Sequence, residues 1–427
     1  MILHIDLDCF FVAAARIKNP SLNGKKVAVV GGGNGTIFDE ANSQKNPNLP
    51  KNSNSQNQSN LQNQSNSQNQ SNLQNSLNSQ NQSNSQKGVI LSASYEARKF
   101  GVKSAMPVKT ALELCPDLTL VPSDHGFYSE LSNSLYKFLY TFTPSIERFS
   151  IDEFFLDLKG TKFDENPFEF AKFLQSEVLK RLNLPCSIGI CKAKFIAKLA
   201  TDLAKPFGIR CICDIKNELK SVEISKFAGI GKSTQKTLEK YAIFTIGDAL
   251  KHKEIFEKLG KNGEKLFARL SGEADDKVEI TSKRKSIGFG RTFSPCANRD
   301  EIKRKILIMC RHLTHDTLNL GLNPTSYELK IRYRTRAESS KRKTLDRDFS
   351  LNLLSEVMAE LFENCDIHRD FEIIHISLNL TNFKDGKECE NSLFSLNEDK
   401  KQHKLDKTIN KIWEKFGLDK LKKATEI

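Results

Sequence analysis

Two apolar, strand-forming runs carry carboxylates, and they limit what this 427-residue chain can become. One is Phe149-Ser150-Ile151-Asp152-Glu153-Phe154-Phe155-Leu156-Asp157-Leu158. The other is the N-terminal run, where Asp6 and Asp8 sit among Ile5, Leu7, Phe10 and Phe11. A buried carboxylate is costly unless it is paired or bound to metal. Neighbouring side chains of a strand point to opposite faces, so Asp152 and Glu153 reach one site only at a strand end, a bulge or a hairpin turn. Asp6 and Asp8, two apart, share a face of a regular strand. Side by side in one sheet, the two runs offer three or more carboxylates to a pair of divalent cations. Such ions, about 3.5–4 Å apart, clamp the attacking and leaving oxygens of a phosphoryl transfer. An all-oxygen donor set suits Mg2+ or Mn2+ rather than zinc. Taken alone, the Asp152-Glu153 run equally suits a solvated hairpin turn.

Charge narrows the partners. Lys and Arg number 65 against 52 Asp and Glu, a net charge of +13, which suits a polyanion such as nucleic acid. The ten cysteines are scattered without zinc spacing and read as reduced thiols of a cytosolic protein. Cys211 and Cys213 are expected to alternate faces of a strand. No apolar run reaches the roughly 18 residues of a membrane span, and acids interrupt the N-terminus, so neither a span nor a signal peptide is expected. The bacterial cytosol is the expected location.

Residues 34–87 are different material. From Gln56 the text repeats every twelve residues, QNQSNLQNQSNS then QNQSNLQNSLNS, almost purely Asn, Gln and Ser. Such a segment buries too little apolar surface to fold, and reads as a disordered insertion looped out of the surface.

Beyond it, a strand (Val89 to Ala93) leads into a helix from Tyr95, with Tyr95, Arg98 and Lys99 near a helix start where phosphates are readily held. Cys186 to Cys191 reads as a buried strand, and Lys194 to Leu203 as a helix with Lys194 and Lys198 on one side. These elements are expected to form one sheet layer with basic groups around the acids. From Val222 short helices follow. Phe227-Ala228-Gly229-Ile230-Gly231-Lys232 reads as a helix-hairpin-helix, whose glycines let backbone N–H groups approach a phosphate.

Lys283, Arg284 and Lys285 open the most basic stretch. Its elements read strand (Ser286 to Phe293), helix (Arg299 to Asn319), strand (Ser326 to Thr335), strand (Lys343 to Phe349), helix (Leu351 to Glu363), strand (Phe371 to Thr381). That is a β-α-β-β-α-β module. Leu329 to Arg334 alternates apolar and basic residues, so one face packs on helices while Lys330, Arg332 and Arg334 face outward. With Lys341 and Arg342 they suit a phosphate backbone. Residues 384–427 read as a polar linker, an amphipathic helix (Leu405 to Phe416) and a basic tail.

The stretches HIDLDCFF (4–11), SASYEARKFGVKSAMP (92–107), SIDEFFLD (150–157) and LAKPFG (203–208) resemble those of Y-family translesion DNA polymerases of the DNA polymerase IV type. Their order and spacing match once the Asn/Gln insertion is removed, over residues 1–33 and 87–383. The resemblance implies an α+β, multidomain fold: palm (1–10 and 122–213), fingers (11–121, carrying the insertion), helical thumb (214–282), β-α-β-β-α-β little finger (283–383) and C-terminal tail (384–427). It implies low-fidelity, template-directed addition of dNTPs to a primer 3′-OH and bypass of damaged bases, by a monomer that binds primer-template DNA.

By position, the resemblance makes Asp6, Asp152 and Glu153 the catalytic metal ligands, with the Leu7 carbonyl, for two Mg2+ ions. Phe11 takes the steric-gate place that excludes a ribose 2′-OH. Tyr95, Arg98 and Lys205 would hold the triphosphate with the amides of Cys9 and Phe10, while Asp8 is not a ligand. Gly229, Gly231, Lys232, Lys283, Lys285, Arg332, Arg334, Lys341 and Arg342 are the expected DNA contacts. A sliding-clamp peptide would fall at 390–394, where Glu390 stands in place of the usual Gln. Two other classes compete: a catalytically silent DNA-binding relative, which the retained acids disfavour, and a metal-dependent nuclease or cyclase, which the triphosphate set and basic module disfavour.

Overall fold

The computed structural model describes residues 1–31, 38, 88–280, 283–384 and 396–426, which form two compact units. Of these, residues 1–31 and 88–280 belong to the first, and residues 38, 283–384 and 396–426 to the second. Most of the Asn/Gln/Ser insertion and the whole of 390–394 lie outside the described residues.

The first unit begins with β1 (Ile2–Leu7), α1 (Phe10–Lys18), β2 (Val27–Gly31), β3 (Val89–Ala93), α2 (Tyr95–Arg98), α3 (Val108–Leu114) and β4 (Thr119–Pro122). There follow α4 (His125–Tyr140), β5 (Ile146–Arg148), β6 (Glu153–Asp157), α5 (Pro167–Leu182), β7 (Cys186–Cys191), α6 (Lys194–Ala204) and β8 (Ile209–Cys211). The strands make two sheets, β5-β6-β1-β7-β8 and β3-β2-β4, not the single layer expected from the sequence. The chain leaves the first sheet at Cys9, whose left-handed backbone (φ 47°) turns β1 into α1 and carries it to β2. Period-two patterning does not say which strands join which sheet.

β1 is the central strand of the larger sheet, antiparallel to both β6 and β7. Its alternation sorts the two faces. Leu3, Ile5 and Leu7 enter the core built with Tyr128, Leu135 and Leu139 of α4 and Phe170, Leu174 and Val178 of α5. The even-numbered residues His4 and Asp6 face the side where α6 packs. That helix lies directly on β7 because Gly189 has no side chain: a Cβ there would sit 2.0 Å from the Ala197 carbonyl oxygen and 2.4 Å from the Thr201 nitrogen.

Thumb-like helices α7 (Ile215–Glu218), α8 (Lys232–Glu239), α9 (Ile246–Ala249), α10 (Lys253–Lys258) and α11 (Lys261–Ser271) share a core with α6 through Phe227, Leu238, Phe256 and Leu270. The Cys211 and Cys213 sulfurs lie 3.7 Å apart. They share a side rather than alternate, as residues two apart in extended chain must. Among the described residues no helix is long and apolar enough to cross a membrane.

The second unit runs β9 (Ser286–Cys296), α12 (Arg299–Asn319), β10 (Pro324–Tyr333), β11 (Glu338–Thr344), α13 (Leu351–Cys365), β12 (Ile373–Phe383) and α14 (Leu396–Phe416), with sheet order β11-β10-β12-β9. Sequence placed the third strand at Lys343 to Phe349. Instead β10 turns back at once through Arg336 (φ 70°), so Lys341, Arg342 and Lys343 lie inside the strand. β11 is a polar edge strand with no apolar alternation to reveal it, and lysines are a common guard on such edges.

The C-terminal segment is no loose tail. α14 buries Trp413 in the core of the unit, and the final residues close over α12, where Arg311 is 2% exposed. Arg311 Nε donates to Glu426 Oε2 at 2.7 Å, and Nη1 donates to the Leu418 carbonyl. Phe38, from the inserted segment, is also buried in this core, edge-on to Phe293 at 5.9 Å. Removing one partner of a buried ion pair costs about 3–5 kcal/mol. Glu426→Ala should therefore destabilise the second unit by about 3 kcal/mol or more, read as a lowered denaturation midpoint. A midpoint unchanged from the parent contradicts this packing.

Candidate active site

The acids meet where two strands of opposite direction end together. β6 starts at Glu153, which stands opposite Asp6 of β1, while Ser187 of β7 flanks Asp6 on the other side. Asp152 and Glu153 leave the β5–β6 hairpin turn, and the Ser150 hydroxyl accepts the Asp152 and Glu153 N–H groups at 3.2 and 3.1 Å. The same hydroxyl donates to Asp152 Oδ1. The Leu7 N–H donates to the Asp152 carbonyl at 3.1 Å, closing the sheet over the turn.

Each central carboxylate is met by a lysine. Lys205, just past the C-terminus of α6, donates to Asp6 Oδ2 at 2.6 Å, and Lys198 of α6 donates to Glu153 Oε1 at 2.7 Å. Asp6 is 4% exposed, and burial pushes its carboxyl up to about 8 against the pull of Lys205. Glu153 goes the other way: burial would raise it, but the neighbouring His4 and Lys198 outweigh that and hold it well below the usual carboxylate range. Lys194, read beside Lys198 from the sequence, serves elsewhere, paired with Glu147 at 2.5 Å.

Asp8 lies beyond the end of β1, and its carboxylate is fully engaged. It accepts from Tyr95 Oη at 3.0 Å, from Ser187 Oγ at 3.1 Å and from the Phe207 N–H at 2.8 Å. Those bonds draw the first turn of α2 and the 205–208 loop towards the acids. Arg98 Nε donates to the Ala93 carbonyl at 2.9 Å, and its guanidinium carbon lies 5.2 Å from the Tyr95 ring centre. Tyr95, Arg98 and Lys205 thus border the same end of the sheet. Cys9 and Phe10 supply the first amides of α1, which have no partner within their own helix. Phe11 is half-buried and stacks on Tyr128 with ring centres 4.3 Å apart, so its ring is fixed by α4.

The expected DNA contacts fall on both units, each considered by itself. Gly229 adopts φ 99°, a conformation few other residues reach, and Gly231 caps α8 ahead of Lys232 with open space where its Cβ would be. The preceding element is a short 3-10 turn, Ile224–Lys226, in place of a full first helix. On the second unit, Leu329, Ile331 and Tyr333 are completely buried while Lys330 and Arg332 face outward. The outward cations are interleaved with acids: Arg332 pairs with Glu338 at 3.0 Å, Arg334 with Glu372 at 2.7 Å and Arg342 with Glu328 at 3.2 Å. Lys285 and Lys341 are exposed, and Lys283 opens the unit.

Sequence reasoning set Lys198 among the basic groups around the acids but gave no role to His4, Ser187 or Thr201. A lone histidine or threonine in an apolar run carries no local signal; only the contact between α6 and β1 brings these groups under the acids.

Residues 72–202 match the model of the impB/mucB/samB family, and residues 284–393 match that of the impB/mucB/samB family C-terminal domain. A DNA polymerase IV of Alkaliphilus oremlandii is 32% identical over 363 residues, covering 80% of this chain and 89% of that one. A DNA polymerase IV of Oceanobacillus iheyensis is 30% identical over 427 residues, covering 98% and 90%. Among solved structures, a chimera of the Y-family DNA polymerases Dbh and Dpo4 aligns over 90% of this chain and 98% of its own, with TM-score 0.70 at 21% identity, a likeness of fold. This chain therefore belongs to the impB/mucB/samB family, the Y-family polymerases of the DNA polymerase IV type.

Proposed function

We propose that this chain is a template-directed, low-fidelity DNA polymerase that adds dNTPs to a primer 3′-OH and copies past damaged template bases. The observation that carries the reading is the pairing of buried Asp6 with half-buried Glu153, in register on adjacent strands and bordered by Asp152, Tyr95, Arg98 and Lys205. In the reaction the primer 3′-oxygen bonds to the α-phosphorus while the bond to the pyrophosphate oxygen breaks.

Oxygen donors on buried acids fit a hard divalent cation, and two flexible lysines now hold those oxygens. Among the described residues no three acid, thiol or imidazole groups stand close enough to share one ion; in the proposed reaction Lys205 and Lys198 give up Asp6 Oδ2 and Glu153 Oε1 to the cations. Asp6, Asp152, Glu153 and the Leu7 carbonyl are the proposed ligands of two Mg2+ ions. Bound there, Mg2+ supplies a lowered pKa for the 3′-OH and charge neutralisation for the triphosphate. Lys205, released from Asp6, reaches the triphosphate together with Arg98 and Tyr95. Their fixed charges and dipoles stabilise the pyrophosphate as it departs. The amides of Cys9 and Phe10 bind phosphate oxygens at the N-terminus of α1. Phe11, braced by Tyr128, blocks a ribose 2′-OH. The basic sheet face of the second unit grips DNA through its backbone, without reading sequence. Its ion pairs are exposed and worth little, so phosphates exchange for Glu338, Glu372 and Glu328 at small cost. A sliding-clamp contact through 390–394 and a cytosolic, monomeric state complete the reading.

Three measurements check it. Asp152→Ala and Glu153→Ala should each slow primer extension with Mg2+ by more than about 100-fold, beyond the cost of losing a mere supporting partner, while primer-template affinity stays near that of the parent. Near-normal extension by both refutes the assignment. Phe11→Ala should lower discrimination against rNTPs about tenfold or more, as expected for a shape contact of 1–3 kcal/mol. If rNTP use stays as low as in the parent, the ring is only packing on Tyr128. For the second unit, Arg332→Ala with Arg334→Ala should flatten the dependence of log affinity on log salt by about 0.9 per lost phosphate contact, equally on unrelated duplexes. An unchanged slope, or a loss confined to one sequence, contradicts the backbone grip.

A further inference from the structure

Directly beneath the acids lies a polar group that the reading above does not use. His4 is completely buried in β1, on the same face as Asp6 and against α6. Its Nδ1 is 2.8 Å from the Thr201 hydroxyl. Its Nε2 is also buried and, among the described residues, has no hydrogen-bond partner. The nearest acid is Glu153, whose Oε2 lies 3.8 Å away, just beyond bonding distance. Such a buried, unsatisfied nitrogen is uncommon enough to need a reason.

The Thr201 hydroxyl can bond the ring in either of its two tautomers. Thr201 Oγ1 has one hydrogen and three acceptors near it: His4 Nδ1 at 2.8 Å, and the His4 and Ala197 carbonyls at 3.1 Å each. In one tautomer Oγ1–H donates to Nδ1 and the imidazole proton sits on Nε2; in the other Nδ1–H donates to Oγ1, which donates in turn to a carbonyl. In the first tautomer the Nε2–H faces Glu153 Oε2, while Lys198 occupies Oε1. Everything here is held by α6, which carries both Thr201 and Lys198 and seats against β7 only because residue 189 is glycine. The ring is further fixed by Phe155, with centres 4.4 Å apart.

We propose that His4 is a positioning residue: its Nε2–H holds Glu153 Oε2 in the reactive rotamer once Lys198 lets go of Oε1. This rests on the reading of Glu153 as an acid of the nucleotidyl-transfer site. While Lys198 grips Glu153, the carboxylate leans away and leaves Nε2 unpaired. When the amine leaves, the bond closes, and Thr201, His4 and Glu153 form one hydrogen-bonded chain from α6 to the reacting end of the sheet. Partners of this kind, which orient a ligating carboxylate, cost about 10–100-fold in metal affinity or activity when lost.

The test compares His4→Leu, which fills the space without a donor, and His4→Gln, whose amide nitrogen reaches the place of Nε2. Primer extension gives kcat and KM for dNTP, and calorimetric titration with Mn2+ gives cation affinity independently of turnover. Expected for His4→Leu is a fall of about tenfold in both kcat and Mn2+ affinity. KM should change little, because the triphosphate contacts are untouched, and His4→Gln should recover most of both losses. Equal impairment of the two variants, or a Leu variant with unchanged Mn2+ affinity and kcat, overturns the proposal. If His4→Leu does not fold, the 15N spectrum of histidine-labelled parent decides: a proton on Nε2 of the resonance missing from His4→Gln supports it, and a proton on Nδ1 overturns it. Failure of the underlying reading looks different, since Glu153→Gln would then extend primers as well as the parent does.

Discussion

Two carboxylates that would rather be in water are held side by side at the end of a buried sheet. Asp6 and Glu153 face each other across β1 and β6, and neither is tolerable there without positive charge close by. Lys205 and Lys198 meet that requirement in the structure described, each at hydrogen-bond distance. Much of the surrounding architecture is intelligible as support for this arrangement. Gly189 admits α6 close enough to deliver Lys198, Asp8 ties the 205–208 loop and Tyr95 to the same place, and Ser150 shapes the turn that brings Asp152 and Glu153 out of the hairpin.

The second unit solves a different problem. Its sheet face carries cations matched by acids. Glu328, Glu338 and Glu372 are interleaved among Arg342, Arg332 and Arg334 in partly exposed pairs, which form and break more cheaply than buried ones. Its own stability comes from elsewhere: two helices on the apolar face, with α14 and the closing Arg311–Glu426 pair over α12.

The legible part of the molecule was the part with strong local patterns. The acidic runs, the alternation of Leu329 to Tyr333 and the long helices all announce themselves through period and burial, and the motif order around 4–11, 92–107, 150–157 and 203–208 identified the family. What was missed depends on contacts distant in sequence. β11 reads Glu-Ser-Ser-Lys-Arg-Lys-Thr, an edge strand with no apolar face, so its start was displaced by five residues. The split into two sheets, the docking of the C-terminal residues on α12, and the insertion of Phe38 into the second core have no signature in their own neighbourhoods. The same holds within the site. Asp6, Asp152 and Glu153 stood out as acids in apolar text, whereas His4 and Thr201, which lie 197 residues apart, acquire meaning only where α6 crosses β1.

The central claim is that this acid pair exchanges its lysines for divalent cations when primer-template and nucleotide are bound. Anomalous scattering from Mn2+ in crystals of the ternary complex with a non-hydrolysable dNTP analogue tests it most directly. The account predicts manganese peaks bridging Asp6, Asp152 and Glu153, with Lys205 turned to the triphosphate and Lys198 withdrawn from Glu153. Density showing Lys205 still on Asp6 and Lys198 still on Glu153, with no manganese between the acids, would contradict it.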